Sequence, residues 1–391
     1  MYTEDRKRLA RILSSHPGPV VRIAERSSGA PAIAASVIPF RSGSFRVLAN
    51  VADSESKFGG RDVVINDTRS FSYTVIAPEC RAKRGGAILL LHGLNEKLWD
   101  KYLPWAKELS ALTGRAVILF PIAFHMNRAP SLWSTPRAMS ALSQERKRLF
   151  AARESSFANA ALSSRLQSAP ERLIWSGLET YYDLLQVIEE VRSGRHPVVD
   201  RKARIDLFGY SIGALLAEVL LLDNYHGLFS DSRVFLFCGG STLSAMWPVS
   251  RYIIDSTAHQ ALADYYGEHF ESNLASTAPL RRLFERVQDL GTSFRSMLFL
   301  DRLGEFRVPR LKELGKRLAA LVLKRDRVVP SGAVTATLSA ATHSSGWSPV
   351  TVVDFPYRYT HEEPFPVLTE ERSEVESAFR LVMNAATSLY S

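Results

Sequence analysis

Apolar residues in this chain gather in two kinds of run. The first kind is short and unbroken: Ala87–Leu91 (A-I-L-L-L), Ala116–Phe120 (A-V-I-L-F), Val234–Cys238 (V-F-L-F-C), Leu318–Leu323 (L-A-A-L-V-L) and Val350–Val353. Ile205, Leu207 and Phe208 make a similar, shorter one. Such runs predict strands buried on both faces. The second kind recurs at helical spacing. Leu98, Tyr102, Trp105, Leu109 and Leu112 form one such series, closed by Gly114, and Pro104 sets the start of its regular part after a looser turn. Leu173, Leu178, Tyr182, Leu185, Ile188 and Val191 form another, and Leu215, Leu216, Val219 and Leu220 a third. Val375, Phe379, Val382, Ala386 and Leu389 predict a last amphipathic helix, capped by Thr369 with Glu370 and Glu371 in its first turn. Phe71–Ala77 alternates instead and predicts a half-exposed strand, suited to an antiparallel edge. Residues 1 to about 60 are the least patterned: a short basic helix, then strands near Val20–Ile23 and Phe45–Val51. Arg81–Gly86 is a polar turn.

Buried strands alternating with helices imply an α/β class, a mostly parallel sheet wrapped on both faces. Two stretches do not fit simple crossovers. His125 to about Pro170 is rich in Arg, Ser and Ala, and Ser241 to about Lys316 is helical and aromatic. Both are too long for plain connections and read as insertions. The expected organisation is an N-terminal extension with antiparallel edge strands over 1–84. An α/β domain follows over 85–391, with insertions at about 125–170 and 241–316.

Composition narrows the partners. With 391 residues, 46% of them hydrophobic, the chain can bury a large core, and no apolar run approaches the ~18 residues of a membrane span. The charged N-terminus lacks the apolar core of a secretory signal, and Cys80 and Cys238 make no disulfide framework, so a cytoplasmic protein is expected. The formal charge of +9 is spread among acids, as at Glu145–Arg148, and reads as solvated helix faces rather than a nucleic-acid surface. No H-E-x-x-H, C-x-x-C, G-x-x-x-x-G-K-[ST] or post-strand G-x-G-x-x-G spacing is present, so neither metal nor cofactor is expected.

The chemistry gathers around Gly209-Tyr210-Ser211-Ile212-Gly213. The bare G-x-S-x-G pattern is weak; its place between a buried strand and an apolar helix makes it a nucleophile elbow, with Ser211 raised above the sheet edge. Gly209 and Gly213 answer the need for close approach there. An alcohol is a poor nucleophile at neutral pH, so Ser211 needs a base, and the base needs a carboxylate to fix its tautomer. Asp326 lies on the loop leaving Leu318–Leu323, in K-R-D-R-V-V-P; His361 follows Val350–Val353, in Y-T-H-E-E-P. Both are strand carboxyl ends, where catalytic groups of such sheets collect. Asp301 is the runner-up acid, and His343 sits at what reads as a fraying helix end. The amides of Ile212 and Leu94 are the expected oxyanion donors. His92 is expected to orient its loop, and Cys238 to be a small buried apolar residue. Asn95, Asn127 and Arg128 are candidates for the substrate pocket; Asn127 and Arg128 equally suit pinning the first insertion to the core.

At H-G-L-N, G-Y-S-I-G, R-D-R-V-V-P and Y-T-H-E-E-P the chain resembles the α/β-hydrolase superfamily, over roughly residues 85 to 391 and in that superfamily's Ser…Asp…His order. The blocks P-I-A-F-H-M-N-R-A-P and F-G-Y-S-I-G-A are similar to a bacterial branch whose members are mostly uncharacterised. The resemblance implies an α/β-hydrolase fold, a Ser-Asp-His triad and a helical cap formed by the two insertions. It further implies a serine hydrolase acting on a small acyl substrate, carboxylic esters first. Thioesters, lactones and amides remain open on the same residues, as does a binding protein that kept the fold and lost turnover.

Overall fold

The computed structural model describes residues 2–15, 18–25, 31–43, 55–56, 60–61, 66–79, 84–276, 281, 289–341 and 348–391. Its sheet strands are β1 (Val20–Ala24), β2 (Ile33–Arg41), β3 (Ser70–Pro78), β4 (Arg84–Leu91), β5 (Ala116–Leu119), β6 (Val199–Tyr210), β7 (Val234–Phe237), β8 (Leu318–Leu323) and β9 (Val350–Val353). They form one nine-stranded sheet in the order β1-β2-β3-β5-β4-β6-β7-β8-β9. From β5 across to β9 every neighbour is parallel, while β1, β2 and β3 pair antiparallel and β3 closes on β5. The helices are α1 (Tyr2–Ser15), α2 (Tyr102–Thr113), α3 (Pro136–Phe150), α4 (Ala160–Ser168), α5 (Arg172–Arg192), α6 (Ile212–Asp223), α7 (Ser256–Asp264), α8 (Phe270–Ser276), α9 (Leu290–Ser296), α10 (Gly304–Leu314), α11 (Ser331–Leu338) and α12 (Arg372–Tyr390).

Successive strand residues feed two cores, as a pleated strand requires. Leu89 and Leu91 of β4, Leu207 of β6 and Val322 of β8 pack with α5, α6 and helices of both insertions. Ile88, Leu90, Phe208 and Leu321 pack on the other face with α1, α2 and α12. This is the α/β-hydrolase fold expected from the sequence. The first of the two long stretches carries α3 and α4 and the second α7 to α10, the last of which packs on the C-terminal end of α6, where Arg310 donates to the Leu222 carbonyl at 3.0 Å. A buried ion pair ties the two stretches together: Arg146 grips both oxygens of Asp255 at 2.6 and 2.8 Å, and Asp255 also caps α7 through the Ala258 amide. Among the described residues no helix is long and apolar enough to cross a membrane.

Several elements depart from the sequence pattern. β2 was not among the expected strands, and it contains Pro39. The Val37 amide points to Pro19 on the β1 side, and Pro39, two residues on, faces the same side beyond the start of β1, where a missing N–H costs no ladder bond. β9 is apolar but is an edge strand, with Thr351 and Val352 exposed rather than buried. Thr369 does not cap α12, which begins three residues later; its hydroxyl instead accepts from the Glu371 amide at 3.1 Å. The strand expected at Phe45–Val51 and residues 81–83 of the polar turn lie outside the described residues.

Candidate active site

β6 delivers Gly209 and Tyr210, and α6 begins at Ile212, so Ser211 occupies the turn alone. Its backbone sits at φ 57°, ψ −125°, a conformation that side-chain-bearing residues rarely adopt and that costs on the order of 1–3 kcal/mol. Close contact enforces the turn. A Cβ on Gly213 would overlap the Leu91 carbonyl at the end of β4, and one on Gly209 would come 2.5 Å from the Ala214 Cα. The collision at Gly213 is thus with the neighbouring strand, not with the elbow's own.

The two loops that follow β8 and β9 meet this turn. His361 Nε2 lies 2.7 Å from Ser211 Oγ, and His361 Nδ1 lies 2.7 Å from Asp326 Oδ2. Because a carboxylate only accepts, Nδ1 carries the ring proton and Nε2 is left to accept from the hydroxyl. The other Asp326 oxygen accepts the amides of Val328 and Val329 at 2.8 and 3.0 Å. All three side chains are buried.

Residues without a sequence signal hold these groups in place. The Tyr210 ring stacks on the His361 imidazole, and its hydroxyl donates to the His361 carbonyl. Lys101 Nζ donates to the Glu362 carbonyl at 2.9 Å while lying 4.7 Å from the Tyr210 ring centroid. Arg325 reaches across to the Phe355 and Tyr357 carbonyls at 2.5 and 2.8 Å, tying the loop of Asp326 to that of His361. His92, which the sequence did single out as orienting its loop, accepts the Ile122 amide at Nε2 and donates from Nδ1 to Gly93, holding the ends of β4 and β5 together. Burial pushes its pKa down to about 3, so it is a neutral strut.

Ser211 opens onto a cavity of about 360 Å³, with Ile212, Leu94, Trp247 and Phe299 on its walls. Among the described residues no hydrogen bond uses the amide of Leu94 or Ile212. A Cβ on Gly93 would lie 3.4 Å from the Ser211 Cβ, which places the Leu94 loop directly beside the elbow.

The other candidates lie elsewhere. Asn95 donates to the Ala158 and Tyr252 carbonyls at 3.0 and 2.6 Å, a tie between the two insertions. Asn127 bonds the Ser72 carbonyl at 2.8 Å on the exterior. Arg128 is fully buried against Glu179 at 2.7 Å and Asp183 at 2.8 Å, and its guanidinium covers the Phe71 ring. Neither Asn127 nor Arg128 lines the cavity at Ser211, because their polar groups are spent on pinning the first insertion to the core. Asp301 is exposed, and His343 lies outside the described residues. Cys238 is buried against Asp326, and burial pushes its thiol pKa far up, which keeps it protonated. Among the described residues no group of three His, Cys, Asp or Glu side chains is placed to hold a metal ion.

One family model, described as a family of unknown function (DUF6051), matches residues 46–391. Nothing among the curated proteins matches the sequence. Similar solved structures include a thermostable esterase from Pseudomonas putida, 14% identical, with 100% of this chain and 91% of that one aligned at a TM-score of 0.43. Carboxyl esterase 2 from Tuber melanosporum is 11% identical over 82% of each chain, TM-score 0.43. An esterase from Pyrobaculum calidifontis is 14% identical over 99% of this chain and 91% of that one, TM-score 0.40.

Proposed function

The chain belongs to that family of unknown function, and we propose that it is a serine hydrolase of carboxylic esters working through an acyl-Ser211 intermediate. The observation that carries this reading is the unbroken run of hydrogen bonds from Asp326 through His361 to Ser211, each 2.7 Å long, opening onto a cavity. Ser211 Oγ bonds to the acyl carbon while its proton passes to His361 Nε2. Asp326 stabilises the imidazolium through Nδ1–H. The carbonyl oxygen becomes an oxyanion between the amides of Leu94 and Ile212, each worth ~10²–10³ in turnover. Collapse breaks the bond to the alcohol, which leaves with the proton from Nε2. Water then gives a proton to the same nitrogen as it attacks the acyl carbon. The carbon–Oγ bond breaks, the acid departs, and the proton returns to Ser211. The cap segments at about 125–170 and 241–316 keep bulk water from this exchange.

A fluorophosphonate probe tests the reading, since it reacts only with an activated serine. Labelling of the wild type and not of Ser211→Ala is expected. A folded wild type that stays unlabelled and leaves p-nitrophenyl acetate intact would turn the reading toward a binding protein on the same fold.

A further inference from the structure

A second, narrower cavity of about 80 Å³ runs from Leu94 and Ile212 between α5 and α6. It shares Leu94, Ile212, Leu173 and Leu243 with the cavity at Ser211, so the two lie against the same side chains, next to the amides assigned above to the oxyanion. Its walls are apolar, chiefly Leu178, Leu216 and Val219. Most polar atoms of the wall side chains are bonded within the protein; of the ring and hydroxyl groups of Ser176, Tyr181 and His125, only His125 Nε2 lacks a partner among the described residues. Ser176 Oγ donates to the Arg172 carbonyl at 2.8 Å, the Tyr181 hydroxyl donates to Asp223, and His125 Nδ1 donates to the Ala123 carbonyl at 2.9 Å. Burial holds the His125 pKa well below its ordinary value, so its ring adds no charge.

Gly177 stands on this wall, in the interior of the 21-residue helix α5. Glycine is the poorest helix former after proline, and it is usually kept in a helix for close packing. Here there is no close packing: a Cβ at position 177 would meet nothing within 4 Å. What the missing side chain leaves is empty volume in the cavity. A void of that size holds roughly five to eight water-sized groups, taking about 10–15 Å³ of probe volume for each. A methylene is of similar size.

We infer that this cavity is the acyl subsite, built for a straight saturated chain of medium length, and that Gly177 sets how far the chain can enter. The inference rests on the hydrolase reading and adds the identity of the acyl group. The wider cavity, walled by Trp247 and Phe299, is left to the alcohol.

The test compares kcat/KM for p-nitrophenyl acetate, butyrate, hexanoate, octanoate and decanoate in wild type, Gly177→Ala and Gly177→Leu. Each methylene kept out of apolar surroundings lowers the value about fourfold. The octanoate-to-acetate ratio is therefore expected to fall at least tenfold in Gly177→Leu and by less in Gly177→Ala. A matched series of acetate esters with lengthening alcohols is expected to show no such change in ratio. An unaltered acyl profile in a Gly177→Leu protein that still takes up the fluorophosphonate probe would overturn the subsite and leave the hydrolase intact. A fall along the alcohol series instead would overturn the assignment of acyl and alcohol. Absence of labelling and turnover in the wild type would remove the hydrolase reading itself.

Discussion

Tyr210 holds His361 by two separate contacts: their rings lie 16° from parallel with centroids 5.6 Å apart, and the phenol donates to the His361 carbonyl. The residue just before Ser211 therefore fixes the ring toward which the Ser211 hydroxyl points. In Tyr210→Phe the stacking persists, but a buried carbonyl loses its donor. A stability loss of about 1–3 kcal/mol is expected. A kcat about tenfold lower at nearly constant KM should accompany it, as a slightly misaligned base predicts. Urea unfolding and steady-state kinetics read the two effects, and a kcat within twofold of wild type would show that the hydroxyl serves stability alone.

Groups that act as one relay are not additive. Ser211→Ala and His361→Ala should each lower kcat by about 10⁴–10⁶, and the double variant should lose no more than the worse single one. Asp326→Asn should lose about 10⁴ through the wrong imidazole tautomer. Circular dichroism and urea unfolding confirm that each variant is folded, since the fluorophosphonate probe cannot count sites that lack an activated serine. Losses that multiply in the double variant would mean that the serine and the histidine act independently.

The buried strands, the elbow and the loops bearing Asp326 and His361 were legible because each signal is local: an unbroken apolar run, a glycine-bracketed serine, a polar residue just past a strand. What stayed hidden depends on contacts between distant segments. Tyr210 occupies a position of the elbow motif where any residue is accepted, and only the folded chain brings it onto a ring 151 residues away. Lys101 and Arg325 carry no sequence signal of their own, yet each donates to carbonyls of the His361 region. β2 carries no clean alternation around Pro39, whose missing N–H is harmless only because it faces the space beyond the start of β1. Asn95 and Arg128 sat in the right neighbourhood for a pocket, and sequence alone could not tell which way their side chains turn.

Arg128 separates pinning from binding. Its guanidinium, fully buried, is the shared partner of Glu179 and Asp183 and also donates to the Pro121 and Thr68 carbonyls at 3.0 Å. Arg128→Ala removes the cation shared by two buried acids and should cost about 3–5 kcal/mol, since breaking a buried ion pair leaves its charge uncompensated. KM for a short ester, measured at low temperature where the variant remains folded, should stay close to wild type. A raised KM with unchanged stability would return Arg128 to the substrate pocket.

Acid sensitivity should follow from the pair His92 and His125, whose rings lie 5.2 Å apart with no exposure to solvent to speak of. Burial lowers the His92 pKa to about 3 and that of His125 well below its usual value. The unfolded chain takes up these protons near pH 6.5 and the folded one does not, so the pair's contribution to stability rises with pH through this window. It is fully present above pH 6.5 and is lost as the pH falls toward 3. Each histidine then contributes about 1.4 kcal/mol per pH unit. Urea unfolding at pH 7.5, 6.5, 5.5 and 5.0 reads this loss together with the opposite contribution of Glu179, Glu218 and Asp223, whose carboxyl pKa values burial raises, so the histidine share is read as the difference between wild type and a variant. In His92→Gln, whose carbonyl can still accept the Ile122 amide, the slope of stability against pH should fall by about one proton even though the variant is less stable at pH 7.5. If both proteins lose stability in parallel over this range, His92 is protonated in the fold, and its role as a neutral strut between β4 and β5 is wrong.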